Sequence, residues 1–361
     1  MPSLSPETIK LLEAIKALPL GETRIMEVCG THTMSIAKSG IKSLLPPHVK
    51  LLSGPGCPVC VTPGAVIDAV LELSMRENVI ITSYGDMLRV PGTKRGDSLA
   101  RRKAMGASVE IVYSPMDALE LARAKPDKEI VFLGVGFETT APGTAAAVMA
   151  AAEEGVENFS VWPMLKTVEP ALRALLAQED FNIQGFLCPG HVATIIGERG
   201  FDFLPEEFGI PAVIVGFEPE EILRAIYRLL YQIAYKCPKV ENEYKRAVSE
   251  KGNVLAQRIL KEAFRPSAEL WRGLGEIEAS GLTVKDELCR YDATVKFGIE
   301  IKADAGEGAQ SACRCGDVIS GRISPADCPL FGKVCTPEDP VGPCMVSSEG
   351  ACAAAWKYQV I

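Results

Sequence analysis

Residues 23–33 read T-R-I-M-E-V-C-G-T-H-T. The first six predict a short strand, and C-G-T-H-T marks its tip and the start of a helical stretch. The same unit recurs along the chain. V-K-L-L-S (49–53) runs into G-P-G-C-P-V-C (54–60) and then the helical A-V-I-D-A-V-L-E-L (65–73). N-V-I-I-T-S (78–83) runs into Y-G-D-M-L-R-V-P-G (84–92), and S-V-E-I-V-Y (108–113) into S-P-M-D-A-L-E-L-A (114–122). Strands that alternate with helices in this way predict a parallel sheet with crossover helices.

The second half repeats the pattern. E-I-V-F-L-G-V (129–135) leads into G-F-E-T-T-A-P-G-T (136–144), and I-Q-G-F-L (183–187) leads into C-P-G-H-V (188–192). P-A-V-I-V (211–215) leads into G-F-E-P-E-E-I-L-R (216–224), whose pattern resembles Y-S-P-M-D-A-L-E-L (113–121). The expected fold class is α/β, with two similar parallel-sheet α/β domains and a Cys-rich third region. The expected limits are an N-terminal helix over 1–20 packing on the C-terminal domain, a first α/β domain over 21–125 and a second over 126–238. A helical and Cys-rich domain then occupies 239–361, with Y-K-R-A-V-S-E-K-G-N-V-L-A-Q-R-I-L-K-E (244–262) as its helix. Ser5 and Pro6 suit the start of the first helix, and Ile9, Leu12 and Ile15 give it an apolar face.

The bulk composition excludes some functions. The chain has 361 residues, of which 47% are hydrophobic and 23% charged, as in ordinary soluble proteins. A net charge of −8 argues against nucleic acid as the main partner. No apolar run is long enough to span a membrane, and the first residues lack the pattern of a secretory signal. G-V-G-F-E-T lacks the third glycine of a dinucleotide fingerprint and no Walker loop occurs, so no tight nucleotide site is expected. Twelve cysteines in a chain of this size point to a cytoplasmic protein that binds metal or does redox chemistry.

In open parallel sheets, ligands bind beyond the carboxyl ends of the strands. The unusual motifs all fall at such ends, so the tips of two facing domains are expected to pool in one cleft. Cys29 sits where a helix begins, and a helix N-terminus would lower its pKa. A buried, inert thiol is the plain alternative. Cys57 and Cys60 have the C-x-x-C spacing of a redox disulfide or of two ligands to one metal. Three thiolates from neighbouring tips would suit iron or zinc. His32 could ligate or polarise a thiol, and His191 could serve as an acid or base; each could equally be a hydrogen-bonded structural residue. Asp86, Arg89, Glu138, Thr139, Thr140 and Glu218 are polar tip residues that could instead cap the following helices.

Six cysteines fall between 313 and 352. Cys328, Cys335, Cys344 and Cys352 lack the paired knuckles of a zinc ribbon and better suit a [4Fe–4S] cluster, which needs four thiolates. Cys313 and Cys315 remain as a redox pair or as an alternative ligand, and structural zinc stays open. Bound metal would supply order that a segment rich in Gly, Pro and Cys lacks.

Taken together and in this order, C-G-T-H-T, G-P-G-C-P-V-C, Y-G-D-M-L-R-V-P-G, G-F-E-T-T-A-P, P-G-H-V and the six-cysteine tail resemble the HypD family of hydrogenase maturation proteins over essentially the whole chain. The resemblance implies a scaffold that works with the small partner HypC in building the iron centre of [NiFe] hydrogenases, iron carrying two cyanides and one CO. Cyanide would arrive from a thiocyanate on HypE, which receives its carbamoyl group from HypF. A [4Fe–4S] cluster on a third domain is also implied. By matching motifs, Cys29, Cys57 and Cys60 would be the iron-site and redox thiols, supported by His32, Asp86, Glu138 and His191. Such a protein is a maturation factor with redox activity rather than a stand-alone turnover enzyme. Two other classes fit the residues: a cluster-fed thiol–disulfide oxidoreductase working through Cys57 and Cys60, and a zinc-stabilised interaction scaffold.

Overall fold

The computed structural model describes residues 5–301 and 312–358. The first residues of the chain and the start of the Gly-rich tail at 303–311 lie outside the described residues. Among the described residues, eleven strands form two sheets. In chain order they are β1 (Thr23–Glu27), β2 (Val49–Ser53), β3 (Val79–Ser83), β4 (Ser108–Ile111), β5 (Glu129–Gly136) and β6 (Phe159–Lys166). They continue with β7 (Gly185–Pro189), β8 (Ala212–Val215), β9 (Val240–Asn242), β10 (Phe264–Trp271) and β11 (Gly275–Val284). The first sheet has the order β2-β1-β7-β8-β9 and is parallel throughout. The second has the order β10-β11-β6-β5-β3-β4 and is parallel except at the β10–β11 hairpin and its junction with β6.

The fold class is α/β as expected, but the sheets do not divide the chain at residue 125. Each takes two neighbouring parallel strands from the first half and two from the second: β2-β1 with β7-β8, and β4-β3 with β5-β6. The chain leaves the first sheet after β2, builds the parallel part of the second, and returns at β7. The sequence pattern carries strand identity but not strand partner, because fully buried parallel strands are all similar apolar runs. The burial of β3, β6, β7 and β8 at every position shows this directly.

The N-terminal helix, Pro6–Ala17, also differs from expectation. Ser5 caps it, accepting from Thr8 N at 3.1 Å, and Pro6 occupies the first turn. Leu12 and Ile15 pack into the apolar layer shared with the helix Pro219–Tyr235, not onto the Cys-rich region, and Ile9 stays exposed. Two facing apolar stripes account for that choice.

Residues 239–301 are less helical than expected. Within 244–262 the helix begins only at Val254, after the N-cap Asn253. The β10–β11 hairpin follows and extends the second sheet. Lys166 at the end of β6 donates to Glu269 Oε2 at 2.6 Å and to Leu270 O at 3.0 Å, tying the hairpin down. Trp271 is buried and donates through Nε1 to Ser280 Oγ at 2.8 Å, so its polar edge is satisfied inside the core.

Candidate functional site

The carboxyl ends of the strands of both sheets converge on one cleft of about 350 Å³. The first sheet supplies Val28, Cys29, Gly56, Pro58, Pro189 and His191; the second supplies Tyr84, Asp86, Phe137, Thr139, Thr140 and Val168. The expected pooling of tips is therefore present, although the two sides are two interleaved sheets and not two consecutive domains. Ser347 and Glu349 of the Cys-rich region complete the wall.

Cys29 is the N-cap of the helix Gly30–Ser39. Its environment reverses the pKa expected from the helix end. Burial pushes the thiol up to about 12; the first-turn amide of His32 opposes this, Glu349 and Glu27 add to the rise, and the Thr31 amide lowers it slightly. Desolvation of a charge outweighs a few amide dipoles when the group is enclosed.

Cys57 and Cys60 lie one layer behind the cleft. Gly56, Pro58 and Val59 line it, and the two cysteines are buried beneath them. Cys57 caps the short helix Pro58–Val61, and Cys60 N donates to Cys57 Sγ at 3.2 Å. Pro58 fits the first helical position and fixes the turn that brings these groups together. Cys60 is raised far above its usual value by burial, then by its neighbour Cys57. Arg272 holds the far end of this helix, donating through Nε and Nη2 to Thr62 O at 3.2 and 3.1 Å.

The two histidines separate in role. His32 is fully buried and its Nε2 lies 3.2 Å from Val215 O and 3.0 Å from Gly216 O. Two carbonyl acceptors require Nε2 to carry the proton. Burial holds His32 down to about 4, so it stays neutral. The ring therefore pins its helix to the β8 tip through Nε2, while Nδ1 is buried with no hydrogen-bond partner among the described residues. His191 does line the cleft, stacked on Phe217 with ring centroids 4.0 Å apart, and Phe217 also meets His32 at 5.0 Å.

The carboxylates divide similarly. Asp86 lines the cleft and its Oδ2 accepts from Ser347 Oγ at 3.0 Å. Glu138 is buried, its Oε1 accepting from Val168 N at 2.9 Å, while Oε2 is enclosed with no hydrogen-bond partner among the described residues. Burial raises Glu138 to about 7. Glu218 is exposed and caps the helix Pro219–Tyr235 in a capping box with Glu221, so it serves the helix and not the cleft. Arg89 is exposed and donates to Pro337 O, joining the β3 tip to the Cys-rich region.

Two carboxylates escaped the sequence reading. Glu27, the last residue of β1, is fully buried; its Oε2 accepts from Cys29 N at 3.0 Å and its Oε1 from Thr33 Oγ1 at 2.5 Å. Burial raises it to about 7. The available signal was a charge at the end of an otherwise apolar strand, next to a tip cysteine. Glu349 reaches the cleft from the tail and accepts from Thr31 Oγ1 at 2.6 Å. Nothing in S-S-E-G announces that contact.

The six tail cysteines line one small void of about 10 Å³. Cys315 and Cys344 form a disulfide. The expected Cys313–Cys315 pair is thus replaced, and Cys344 is withdrawn from the expected ligand set. Cys328, Cys335 and Cys352 are thiols with Cys313 among them; burial raises the Cys352 pKa, and Cys313, Cys335 and Cys328 add to the rise. The small helix of Cys57 and Cys60 packs against both halves of the disulfide region, the helix Cys315–Ile319 and the turn Pro343–Met345. Among the described residues, no three His, Cys, Asp or Glu side chains are already gathered in metal-ligating geometry. No helix among them is long and apolar enough to cross a membrane.

These features define a multi-thiol α/β protein: a cleft at the pooled tips of two sheets, a C-x-x-C helix behind it, and a cysteine-lined void behind that. The HypD family model, described as "Hydrogenase formation hypA family", matches residues 7–359. "Hydrogenase maturation factor HypD" of Rhodobacter capsulatus is 46% identical over 358 residues, covering 98% of this chain and 94% of that protein. The protein of the same description from Escherichia coli (strain K12) is 45% identical over 342 residues, covering 93% and 89%. "Hydrogenase expression/formation protein HupD" of Azotobacter chroococcum mcd 1 is 42% identical over 352 residues, covering 96% and 92%. The chain belongs to the HypD family of hydrogenase maturation factors.

Proposed function

We propose that this chain is the scaffold on which the Fe(CN)₂(CO) unit of [NiFe] hydrogenases is assembled, in complex with HypC and with cyanide delivered from HypE, in the cytoplasm. The observation that carries the reading is the layering of thiols: Cys29 on the cleft wall, Cys57 and Cys60 just behind it, and the tail cysteines behind them. Iron carrying cyanide and CO is the cargo. Thiolates of Cys29, Cys57 and Cys60 are the soft donors that suit it, and the raised pKa values of Cys29 and Cys60 mean that iron itself would have to displace their protons.

Release of cyanide from a thiocyanate needs two electrons, and a dithiol can provide them. Cys57–SH and Cys60–SH react with R–S–C≡N to give R–SH, HCN and the Cys57–Cys60 disulfide. One S–CN bond breaks, one S–S bond forms, and the two thiol protons leave on the two products. Resetting the pair takes two electrons from the tail side. The thiols of Cys328, Cys335 and Cys352, with Cys313 beside them, match in number and type the donor set of a [4Fe–4S] cluster. When bound, such a cluster supplies electrons one at a time.

Around the cargo, His191 and Asp86 stand on the cleft wall with Glu349. Glu27 holds the Cys29 amide in place, and Glu138 holds the start of the helix Val168–Leu176. Mössbauer spectroscopy of the anaerobically purified complex with HypC tests the reading. It predicts low-spin iron distinct from cluster iron. Cluster iron alone, with reduction of protein disulfides in assay, would favour a thiol–disulfide oxidoreductase; colourless zinc protein would favour a plain interaction scaffold.

A further inference from the structure

The outer strand of the first sheet, β2, has an open edge. Thr23 N donates to His48 O at 2.8 Å, and Gly54 N donates to Glu27 O at 2.7 Å. These two bonds fix the alternation along β2: the backbone of His48, Lys50, Leu52 and Gly54 faces β1, and that of Val49, Leu51 and Ser53 faces away. Val49 N turns back to Pro46 O. β2 pairs with β1 alone, so the N–H and C=O groups of Leu51 and Ser53 have no backbone partner among the described residues, although both residues are buried. An open strand edge is a template for another strand.

Among the described residues, no strand besides β1 pairs with β2. All five residues of β2 line a groove of about 480 Å³, whose far wall comes from the Cys-rich region through Val318, Ile323 and Ala354. Five strand residues span roughly 16 Å at about 3.3 Å each, which is the length of a short extended segment. Lys42 also lines the groove, and its ammonium makes no hydrogen bond or ion pair among the described residues. Glu27 attracts it from behind, but burial still pulls its pKa down, so its charge is under-compensated. Exposed Lys50 adds a second positive charge at the rim.

We infer that this groove takes an extended peptide segment of a partner protein, which adds as a strand to the free edge of β2 and places a carboxylate on Lys42. Main-chain bonds to Leu51 and Ser53 supply register, the apolar far wall takes alternate side chains, and the lysine selects an acidic residue. A small acid would use Lys42 but leave the strand edge unpaired. The site lies away from the residues that line the thiol cleft, so it stands whether or not the cleft chemistry is as proposed.

The test uses the full chain and the peptide acetyl-Thr-Leu-Thr-Leu-Glu-amide, with calorimetry for affinity and hydrogen exchange for the segment 49–54. Binding with slowed exchange at Leu51 and Ser53 is expected. Replacing the peptide's Glu by Gln weakens binding about tenfold, in line with loss of a charge-assisted bond. Methylating its alternate amide nitrogens abolishes binding. Lys42→Met erases the difference between the Glu and Gln peptides, while Lys42→Arg keeps it and guards against misfolding. No binding at millimolar peptide, or binding undisturbed by amide methylation, overturns the proposal. Hexanoate binding as tightly as the peptide also overturns it, in favour of a small-acid pocket.

Discussion

Thr31 Oγ1 donates to Glu349 Oε1 at 2.6 Å across 318 positions of sequence, joining the first strand tip to the cysteine-rich tail. The bond places a carboxylate near three groups at once. Its charge adds to the rise that burial imposes on the Cys29 and Cys60 thiols and partly offsets the burial that lowers His191. The tail thus supplies part of the cleft's electrostatics as well as its own cysteines.

Glu349→Gln keeps an oxygen for Thr31 and removes the charge. The Cys29 thiol then ionises more readily. Alkylation of Cys29 by iodoacetamide at pH 8, followed by mass spectrometry, should quicken about three- to tenfold, the effect of a shift of half to one unit. An unchanged rate would mean that Glu349 acts on Cys29 only through geometry.

Glu138 gives a pH signature. Its folded pKa of about 7 lies above the ordinary value of 4.5 because burial favours the protonated form. A raised carboxyl pKa makes the fold most stable when the group is protonated. That contribution is complete below about pH 4.5 and is lost as pH rises through about 7. The full difference is about 3 kcal/mol. Thermal unfolding of the wild type and of Glu138→Gln from pH 5 to pH 8 should show the wild type losing several degrees relative to the variant. Parallel curves would refute the assignment.

Gly56 is fixed by close approach rather than by an unusual backbone angle. A Cβ there would fall inside the van der Waals envelope of Cys29 N and the Val28 carbonyl carbon, both backbone atoms that cannot turn aside. The same contact carries the Gly30 N–H to Gly56 O bond of 3.0 Å. Gly56→Ala should cost about 3 kcal/mol or more, read as a drop in Tm, and should expose Cys29 to thiol reagents. A fully stable variant with a protected Cys29 would contradict this packing.

The tail cysteines should fall into two groups. Cys328→Ser and Cys352→Ser remove cluster donors, so anaerobically purified protein should lose most of its brown absorbance and bound iron. Cys315→Ser breaks the bond to Cys344 and should leave iron content near that of the wild type. Equal iron loss in all three variants would put the disulfide cysteines among the ligands.

The sequence showed a good part of this and missed the rest for physical reasons. Strand–tip–helix units are local, so T-R-I-M-E-V and N-V-I-I-T-S were legible as strands, and their tips were legible as the site. Which strands pair is decided by long-range packing, so the interleaving of the sheets was hidden. The β10–β11 hairpin was masked by a preceding helix that drew the pattern toward helix. Cys29 misled because helix position is visible in sequence and burial is not. His32 was legible as a tip residue, but its contacts with the carbonyls of Val215 and Gly216, far along the chain, were not. Glu349 and the Cys315–Cys344 bond belong to an irregular region with no periodicity to read.

The central claim is that the layered thiols hold an iron unit bearing cyanide and CO. Infrared spectroscopy of the anaerobically purified complex with HypC tests it most directly, with wild type and Cys57→Ala or Cys60→Ala side by side. The wild-type complex should show cyanide and CO stretching bands, and the folded variants should lose them. Full-intensity bands in either variant would contradict the account.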